Sequence, residues 1–292
     1  MARTLGALGA LLTLVAGCNG LDWGGPRGVA PQSRREALDR VNENLGRINR
    51  PLGCRGLVSF RFTDADGRPR AYIGHDARLL FRPPQSLLFD VQSLAGTVAQ
   101  IGSNDEYYWV WIEPEVRKLW YGLWADARGR VGRDLPVPPD QVLDALMLRP
   151  LSETLDDGFL PLLRVVGDDH RLIYVRFGPD RQPRGAREIR LDPHPPYQPL
   201  EIVDRLPDGQ IVMHAELRQY ESVGPDGPRT ARRYVVRWPA NRAEMRLDIV
   251  SAKFRDDLPA DAFDFPAGWQ GEIERVDAVG PDEAGAATGR GS

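Results

Sequence analysis

The chain has 292 residues, a formal net charge of -3, 42% hydrophobic residues and 27% charged residues. This composition is typical of a globular protein, and the length is enough for one large domain or two small ones. The slightly acidic balance argues against a polyanionic partner, so we expect no binding of nucleic acid.

The first residues have the pattern of an export signal. Arg3 precedes an apolar run over residues 5–16, which is shorter than the roughly 20 apolar residues of a membrane-spanning helix. The run ends at residues 14–18 in Leu-Val-Ala-Gly-Cys, which resembles the bacterial lipobox. We therefore expect residues 1–17 to be a lipoprotein signal peptide and Cys18 to carry the lipid that holds the chain on a membrane surface. An ordinary signal peptide with a chance cysteine is the alternative.

The residues after Cys18 bear on location and domain limits. Asn19 stands where Gram-negative lipoproteins kept at the inner membrane tend to have Asp, so the periplasmic face of the outer membrane is favoured. Residues 18–32 are rich in Gly and Pro and are expected to be a flexible tether. The folded domain is expected over residues 33–270, followed by a disordered tail over residues 271–292.

The folded part begins with a predicted helix. Ser33 and Glu36 have capping-box spacing, and an apolar stripe follows at Leu38, Val41 and Leu45. After Pro51 the pattern changes to alternating apolar and polar residues, with turn residues every 8 to 12 positions, which predicts an antiparallel meander.

A second helix is predicted in the middle of the chain, between two blocks of strands. Pro139 can begin it, and Leu143, Leu146 and Met147 would form its apolar face. Residues 161–166 could be helical or extended, and strands resume at residue 171. We count about eleven or twelve strands and two or three helices, an α+β, mainly antiparallel fold of the barrel or sandwich kind. The two strand blocks could pair as one continuous sheet.

Signals of catalysis are weak. The sequence contains no nucleophile elbow, phosphate-binding loop or dinucleotide fingerprint. The four histidines, His75, His170, His194 and His214, are widely separated, and Asp-Asp-His at 168–170 is typical of a turn rather than a metal site. We expect no catalytic residue, metal or cofactor. With Cys18 lipidated, Cys54 has no disulfide partner and is expected to be a buried thiol.

Three segments carry a resemblance to a known family. They are residues 81–90, with Phe-Arg-Pro-Pro followed by Leu-Phe-Asp; residues 102–114, with Gly-Ser-Asn-Asp followed by Trp-Val-Trp-Ile-Glu-Pro; and residues 237–266, with Arg-Trp-Pro and then Leu-Pro-Ala-Asp-Ala-Phe-Asp-Phe-Pro. Together with the order helix, meander, helix, meander, these segments resemble the LolA/LolB family of lipoprotein carriers over residues 33–268. The resemblance implies a half-open, unclosed barrel of about eleven strands, with helices covering a cavity that holds acyl chains of a lipoprotein or other lipid.

The lining of such a cavity is expected to be bulky and apolar. The candidates are Phe60, Phe62, Phe89, Trp109, Trp111, Trp120, Tyr121, Met213, Tyr234, Met245 and Leu247. A residue pattern does not separate a cavity from a filled core, so a solid interior stays an alternative.

A lipid on Cys18 suits the membrane-bound, LolB-like type. That type presents an exposed apolar residue on a loop, for which Trp124 is one candidate, although Trp124 could equally be core. We expect an envelope protein that binds acyl chains or lipoproteins for transport or insertion. A sensor or structural lipoprotein that binds a protein partner is the alternative.

Overall fold

The structure is a computed structural model that describes residues 28–64, 67–113, 116–125, 137–153, 161–177, 182–206, 208–266 and 268–276. The predicted signal peptide, Cys18 and the tether as far as residue 27 lie outside these ranges. Within them, we find no helix with the length and apolar character needed to cross a membrane.

The described residues form two α-helices, one short 3-10 helix and fourteen strands. The α-helices are α1 (Arg34–Gly46) and α2 (Pro139–Ala145), and the 3-10 helix is Pro239–Asn241. The strands are β1 (Leu52–Thr63), β2 (Pro69–Arg82), β3 (Ser86–Ser93), β4 (Gly96–Ser103), β5 (Tyr107–Ile112), β6 (Lys118–Leu123), β7 (Leu162–Val166), β8 (Asp169–Phe177), β9 (Pro183–Leu191), β10 (Pro199–Arg205), β11 (Ile211–Ser222), β12 (Arg229–Trp238), β13 (Ala243–Phe254) and β14 (Glu272–Arg275).

All fourteen strands belong to one sheet, in the order β14-β6-β5-β4-β3-β2-β1-β13-β12-β11-β10-β9-β8-β7. β1 pairs with β13 and so joins the two meanders at the centre. Neighbouring strands are antiparallel except β14, which runs parallel to β6. The edge strands β14 and β7 do not pair with each other. The prediction of a mainly antiparallel α+β fold with an unclosed sheet is confirmed. The sheet has more strands than the eleven or twelve counted in the sequence, because β7 and β14 extend its two ends.

Helix α1 forms for the predicted reason. The Ser33 Oγ accepts a hydrogen bond from the Glu36 backbone N–H at 3.1 Å, which satisfies one of the free donors of the first turn. The Glu36 carboxylate accepts the backbone N–H of Gln32 at 2.6 Å. The helix buries Leu38, Val41 and Leu45 in the main core.

The main core lies on one face of the sheet, which we call the inner face. It contains the apolar faces of both helices and the inward side chains of most strands. On β12 and β13, for example, Tyr234 and Val236 are buried beside their partners Leu247 and Met245. Because every second side chain of a strand points to the same face, the polar residues between them lie outside.

A smaller cluster lies on the opposite, outer face. It consists of Trp109, Trp111 and Leu119, packed against Tyr107, Tyr121, Phe265 and Trp269. Its last two members belong to the segment after β13, which covers the outer face of β5 and β6 and then forms β14. Strand β14 therefore lies beyond the predicted domain boundary at residue 270, inside the stretch that was expected to be disordered. The Lys118 ammonium lies 2.7 Å from the Glu272 carboxylate, and this ion pair helps to hold β14 against β6.

Candidate functional site: an apolar cleft and an exposed turn

An apolar cleft opens where β1 to β5 approach one end of the sheet. Its lining residues all come from the inner face or from the residue two positions before α2, and all except Tyr72 have purely apolar side chains. They are Phe60, Phe62, Tyr72, Val91, Ala99, Ile101, Val110, Ile112 and Val137. The Phe62 and Tyr72 rings stack, with centroids 6.2 Å apart and planes 12° apart. Strand pairing produces the lining, because Val91, Ala99 and Ile112 lie side by side on β3, β4 and β5.

The cleft is nearly closed in this conformation. Its free volume is about 30 Å³, which is room for one or two water molecules. Pockets for small ligands have roughly 300–1,000 Å³. An acyl chain can enter only if part of the lining moves aside. Val137, two positions before α2, is the described lining residue that lies outside the sheet, so its displacement would widen the cleft.

The structure divides the predicted lining residues between the two faces. Phe60 and Phe62 line the cleft, and Phe89 packs against Phe60 with ring centroids 6.1 Å apart. Met213, Tyr234, Met245 and Leu247 are buried elsewhere in the main core, and Trp120 packs against that core partly buried.

The prediction that Trp109, Trp111 and Tyr121 line the cavity is wrong. They belong to the outer cluster beneath Phe265 and Trp269 and cannot line a cavity on the inner face. The reason is that both faces of β5 are apolar: Tyr108, Val110 and Ile112 alternate with the outward residues. The smaller lining residues were not predicted, because aliphatic side chains stand out less in a sequence than aromatic rings of the same strand parity.

A fully exposed leucine lies close to the cleft. Leu94, in the turn between β3 and β4, has a relative exposure of 111%. The Ser93 Oγ accepts the Ala95 backbone N–H at 3.2 Å and donates to the Gly96 carbonyl at 3.2 Å, and Gly96 has a φ of 127°. Leu94 follows the lining residue Val91 by three positions, so about 10 Å of strand separates them.

Trp124, the residue considered for such an exposed position, packs inward instead. Its ring lies 5.2 Å from the Tyr108 ring, and its Nε1 donates to the Asn104 carbonyl at 2.8 Å. Leu94 could have been found in the sequence as the one large apolar residue in the Ser-Leu-Ala-Gly turn at 93–96.

Helix α2 crosses the inner face between the two meanders. It contacts β4 and β5 on one side and β11 on the other. Asp144 of this helix accepts a hydrogen bond from the Arg187 Nη2 of β9 at 2.6 Å and another from the Arg149 Nε at 3.0 Å. The Arg187 Nε donates to Asp204 of β10 at 2.6 Å. Burial acts to raise the pKa of Asp144, but the charges of Arg187 and Arg149 outweigh it and hold that pKa below its ordinary value.

The described ranges contain no cluster of metal-ligating side chains and no activated thiol. No group of three or more His, Cys, Asp or Glu residues there could hold a metal ion. Cys54 is buried, and desolvation raises the pKa of its thiol to about 12. The thiol is therefore protonated at neutral pH and a poor nucleophile.

Comparison with known proteins gives structural neighbours only. No protein-family model and no curated protein matches the chain. Similar solved structures include the LolA superfamily protein NE2245 from Nitrosomonas europaea, at 14% identity and a TM-score of 0.47, covering 78% of this chain and 97% of that one. A domain from Vibrio parahaemolyticus that is named as an outer membrane lipoprotein-sorting protein domain has 12% identity and a TM-score of 0.47, covering 79% of this chain and 97% of that one. A DUF1329 family protein from Desulfovibrio piger has 13% identity and a TM-score of 0.42, covering 80% of this chain and 99% of that one. The chain is similar to LolA-superfamily structures. That similarity extends over most of its length at low sequence identity.

Proposed function

We propose that this chain is a lipid-anchored envelope protein that takes an acyl chain of a lipoprotein or lipid into the apolar cleft and transfers it at a membrane. The observation that carries this proposal is the position of the fully exposed Leu94 about 10 Å of strand from the purely aliphatic and aromatic cleft. The protein acts by binding and release rather than by catalysis.

The chemistry of the cleft suits hydrocarbon. Among its lining residues the only polar side-chain atom is the Tyr72 hydroxyl, so a polar headgroup would have to stay at the mouth. Burial of apolar surface contributes roughly 25 cal/mol per Å². Such burial makes the entry of an acyl chain favourable once α2 and Val137 have moved.

The exposed turn suits contact with a bilayer. A leucine that is fully exposed in water gains about 1.5–3 kcal/mol when it is buried in an apolar medium. Insertion of Leu94 into the membrane would bring the end of the sheet that holds the cleft to the membrane surface. The same insertion would shorten the path of an acyl chain between cleft and bilayer.

The anchor is part of the proposal. We infer that Cys18 carries the lipid and that the chain lies on the periplasmic face of the outer membrane. The Gly28 backbone N–H donates to the Asp168 carboxylate at 3.2 Å, so the domain begins to be fixed at this residue. The stretch from Cys18 to Gly28 can span at most about 35 Å, which would limit how far Gly28 can lie from the membrane.

Filling the cleft should abolish acyl binding. We expect Ala99→Phe to weaken retention of a dansylated fatty acid at least about tenfold, because the new ring occupies the path between Val91 and Ile112. Fluorescence titration of purified protein measures this. Ala71→Phe is the matched control, since Ala71 is exposed on β2 next to the lining residue Tyr72. Equal binding by both variants, or no binding by the parent chain, would contradict the proposal.

Removing the exposed leucine should slow transfer without changing binding. We expect Leu94→Glu to reduce the rate at which the dansylated fatty acid passes from the protein to liposomes by about tenfold, the equivalent of 1.4 kcal/mol of lost insertion. Val250→Glu is the control, because Val250 of β13 is 77% exposed but lies outside the cleft lining. A Leu94→Glu chain that transfers as fast as the control would remove Leu94 from the mechanism.

The small volume of the cleft favours a second candidate function. A filled interior fits a structural or sensor lipoprotein that binds a protein partner rather than a lipid. Native mass spectrometry of the chain extracted from membranes separates the two functions. A copurifying lipid or lipoprotein supports carriage, and a chain that never carries either supports the second function.

A further inference from the structure

Helix α2 is held in place by a cluster of partly buried charges in which anions outnumber cations. The cations are Arg149 and Arg187, and the anions that they contact are Asp144 and Asp204. The two cations neutralise the two anions. Asp140, in the first turn of the same helix, adds a third carboxyl group to the cluster, and no described cation makes an ion pair with its side chain.

The Asp140 carboxyl is only partly satisfied: the backbone N–H of Gln141 donates to it, but one of its two oxygens has no donor. Its Oδ1 and the neighbouring Gln141 Oε1 are both buried acceptor atoms with no hydrogen-bond partner in the described structure. Two unpaired acceptors next to each other in the chain are costly to bury. A proton on Asp140 would relieve both problems, because it removes the third negative charge and supplies an O–H donor.

The position of α2 links this cluster to the cleft. Val137, which lines the cleft, precedes the first residue of α2 by two positions. The opposite end of the helix is tied to β9 through Asp144 and Arg187. A weaker charge cluster would therefore loosen the segment that carries the lining residue Val137.

We propose that α2 is a proton-linked strap over the cleft, closed while Asp140 carries a proton and loosened when Asp140 ionises. This inference rests on the proposed function, since it describes how access to the same cleft is regulated. The groups that face Asp140 are Asp144 on its own helix, Arg149 after it, and Asp204 on β10. Arg187 on β9 reaches it through Asp144 and Asp204.

The direction of the pH effect follows from the charges. Burial first, and then the charge of Asp144, raise the pKa of Asp140 from 3.8 to about 7 in the closed state. With α2 displaced into water, the carboxyl returns to its ordinary pKa. Closure is therefore fully favourable below the ordinary value, weakens as pH rises towards 7, and stays weakened above it. The pKa of Asp144 is lowered instead, so its ion pair with Arg187 persists at mildly acidic pH.

Hydrogen exchange of the full chain tests the strap without a ligand. The α2 amides, including those of Val142 and Leu146, donate within the helix, so they report its opening. After correction for the intrinsic chemical rate, we expect α2 to exchange on the order of tenfold faster at about pH 8 than at about pH 5.5. Asp140→Asn should exchange slowly at both, because the amide is neutral throughout. Asp39→Asn, on the exposed side of α1, should behave like the parent chain.

Three outcomes would overturn the strap: no pH dependence of α2 in the parent chain, the same pH dependence in Asp140→Asn, or equal changes in α1 and α2. Asp144→Asn provides a second check, since it should speed α2 exchange at both pH values while α1 stays protected. Uptake of the dansylated fatty acid is then measured in parallel. If α2 opens with rising pH but the chain takes up no fatty acid, the proposed function is contradicted, whereas the pH-dependent opening of α2 is supported.

Discussion

Replacing Arg187 by Met should lower the free energy of unfolding by about 3–5 kcal/mol. The guanidinium donates to Asp204 at 2.6 and 2.8 Å and to Asp144 at 2.6 Å. Removing it leaves two largely buried carboxylates, with side chains 18% and 13% exposed, and one remaining cation, Arg149. Burial acts to lower the pKa of the Arg187 guanidinium, but the charges of Asp144 and Asp204 outweigh it and hold that pKa well above its ordinary value. Urea denaturation followed by tryptophan fluorescence measures the loss.

The matched control for this prediction is Arg233→Met. Arg233 pairs with Asp248 at 2.6 Å between neighbouring strands, but both side chains are about half exposed. Exposed pairs contribute about 0–1 kcal/mol because water screens them, so this variant should lose less than about 1 kcal/mol. Similar losses in the two variants would show that the Arg187 cluster is screened by water and does not fix α2.

Local patterns in the sequence were enough to predict α1 and most of the sheet. Ser33 caps the helix because its hydroxyl lies three residues from the donor that it satisfies. The turn residues mark where the strands end, because the backbone conformation that they favour is set by residues only a few positions apart. The meander order then follows, since consecutive antiparallel strands pair through short turns.

The face on which β5 buries its tryptophans could not be predicted in this way. Val110 and Trp111 are both buried, one under the helices and one under the segment after β13. A strand that is apolar on both faces carries no signal of which face is the inner one. That information comes from Phe265 and Trp269, which are distant in sequence.

The charge cluster also could not be predicted from the sequence. Asp144, Arg187 and Asp204 lie on α2, β9 and β10, and each is typical of an exposed position when taken alone. Their pairing depends on how α2 crosses the sheet. Leu94 differs, because its turn was visible in the sequence and only its exposure had to be seen in three dimensions.

A chain that ends at Leu258 should lose at least about 3 kcal/mol of stability, the usual cost of removing one large buried aromatic side chain. The deletion removes Phe263, which is 2% exposed and packs beneath the Arg82 guanidinium at 4.8 Å. It also removes Phe265 and Trp269, which cover the outer cluster. Trp109 and Leu119, both 0% exposed in the full chain, would then meet water. Thermal unfolding measures the loss, and binding of an apolar dye reports the uncovered surface.

A chain that ends at Val276 is the control for this deletion, because it keeps β14 and the ring contacts of Phe265 and Trp269. We expect its stability to lie within about 0.5 kcal/mol of the full chain and its dye binding to be unchanged. If the shorter chain were as stable as this control, the segment after β13 would be an accessory rather than part of the fold. The domain would then end at β13, and the outer tryptophans would form an exposed apolar surface open to a partner.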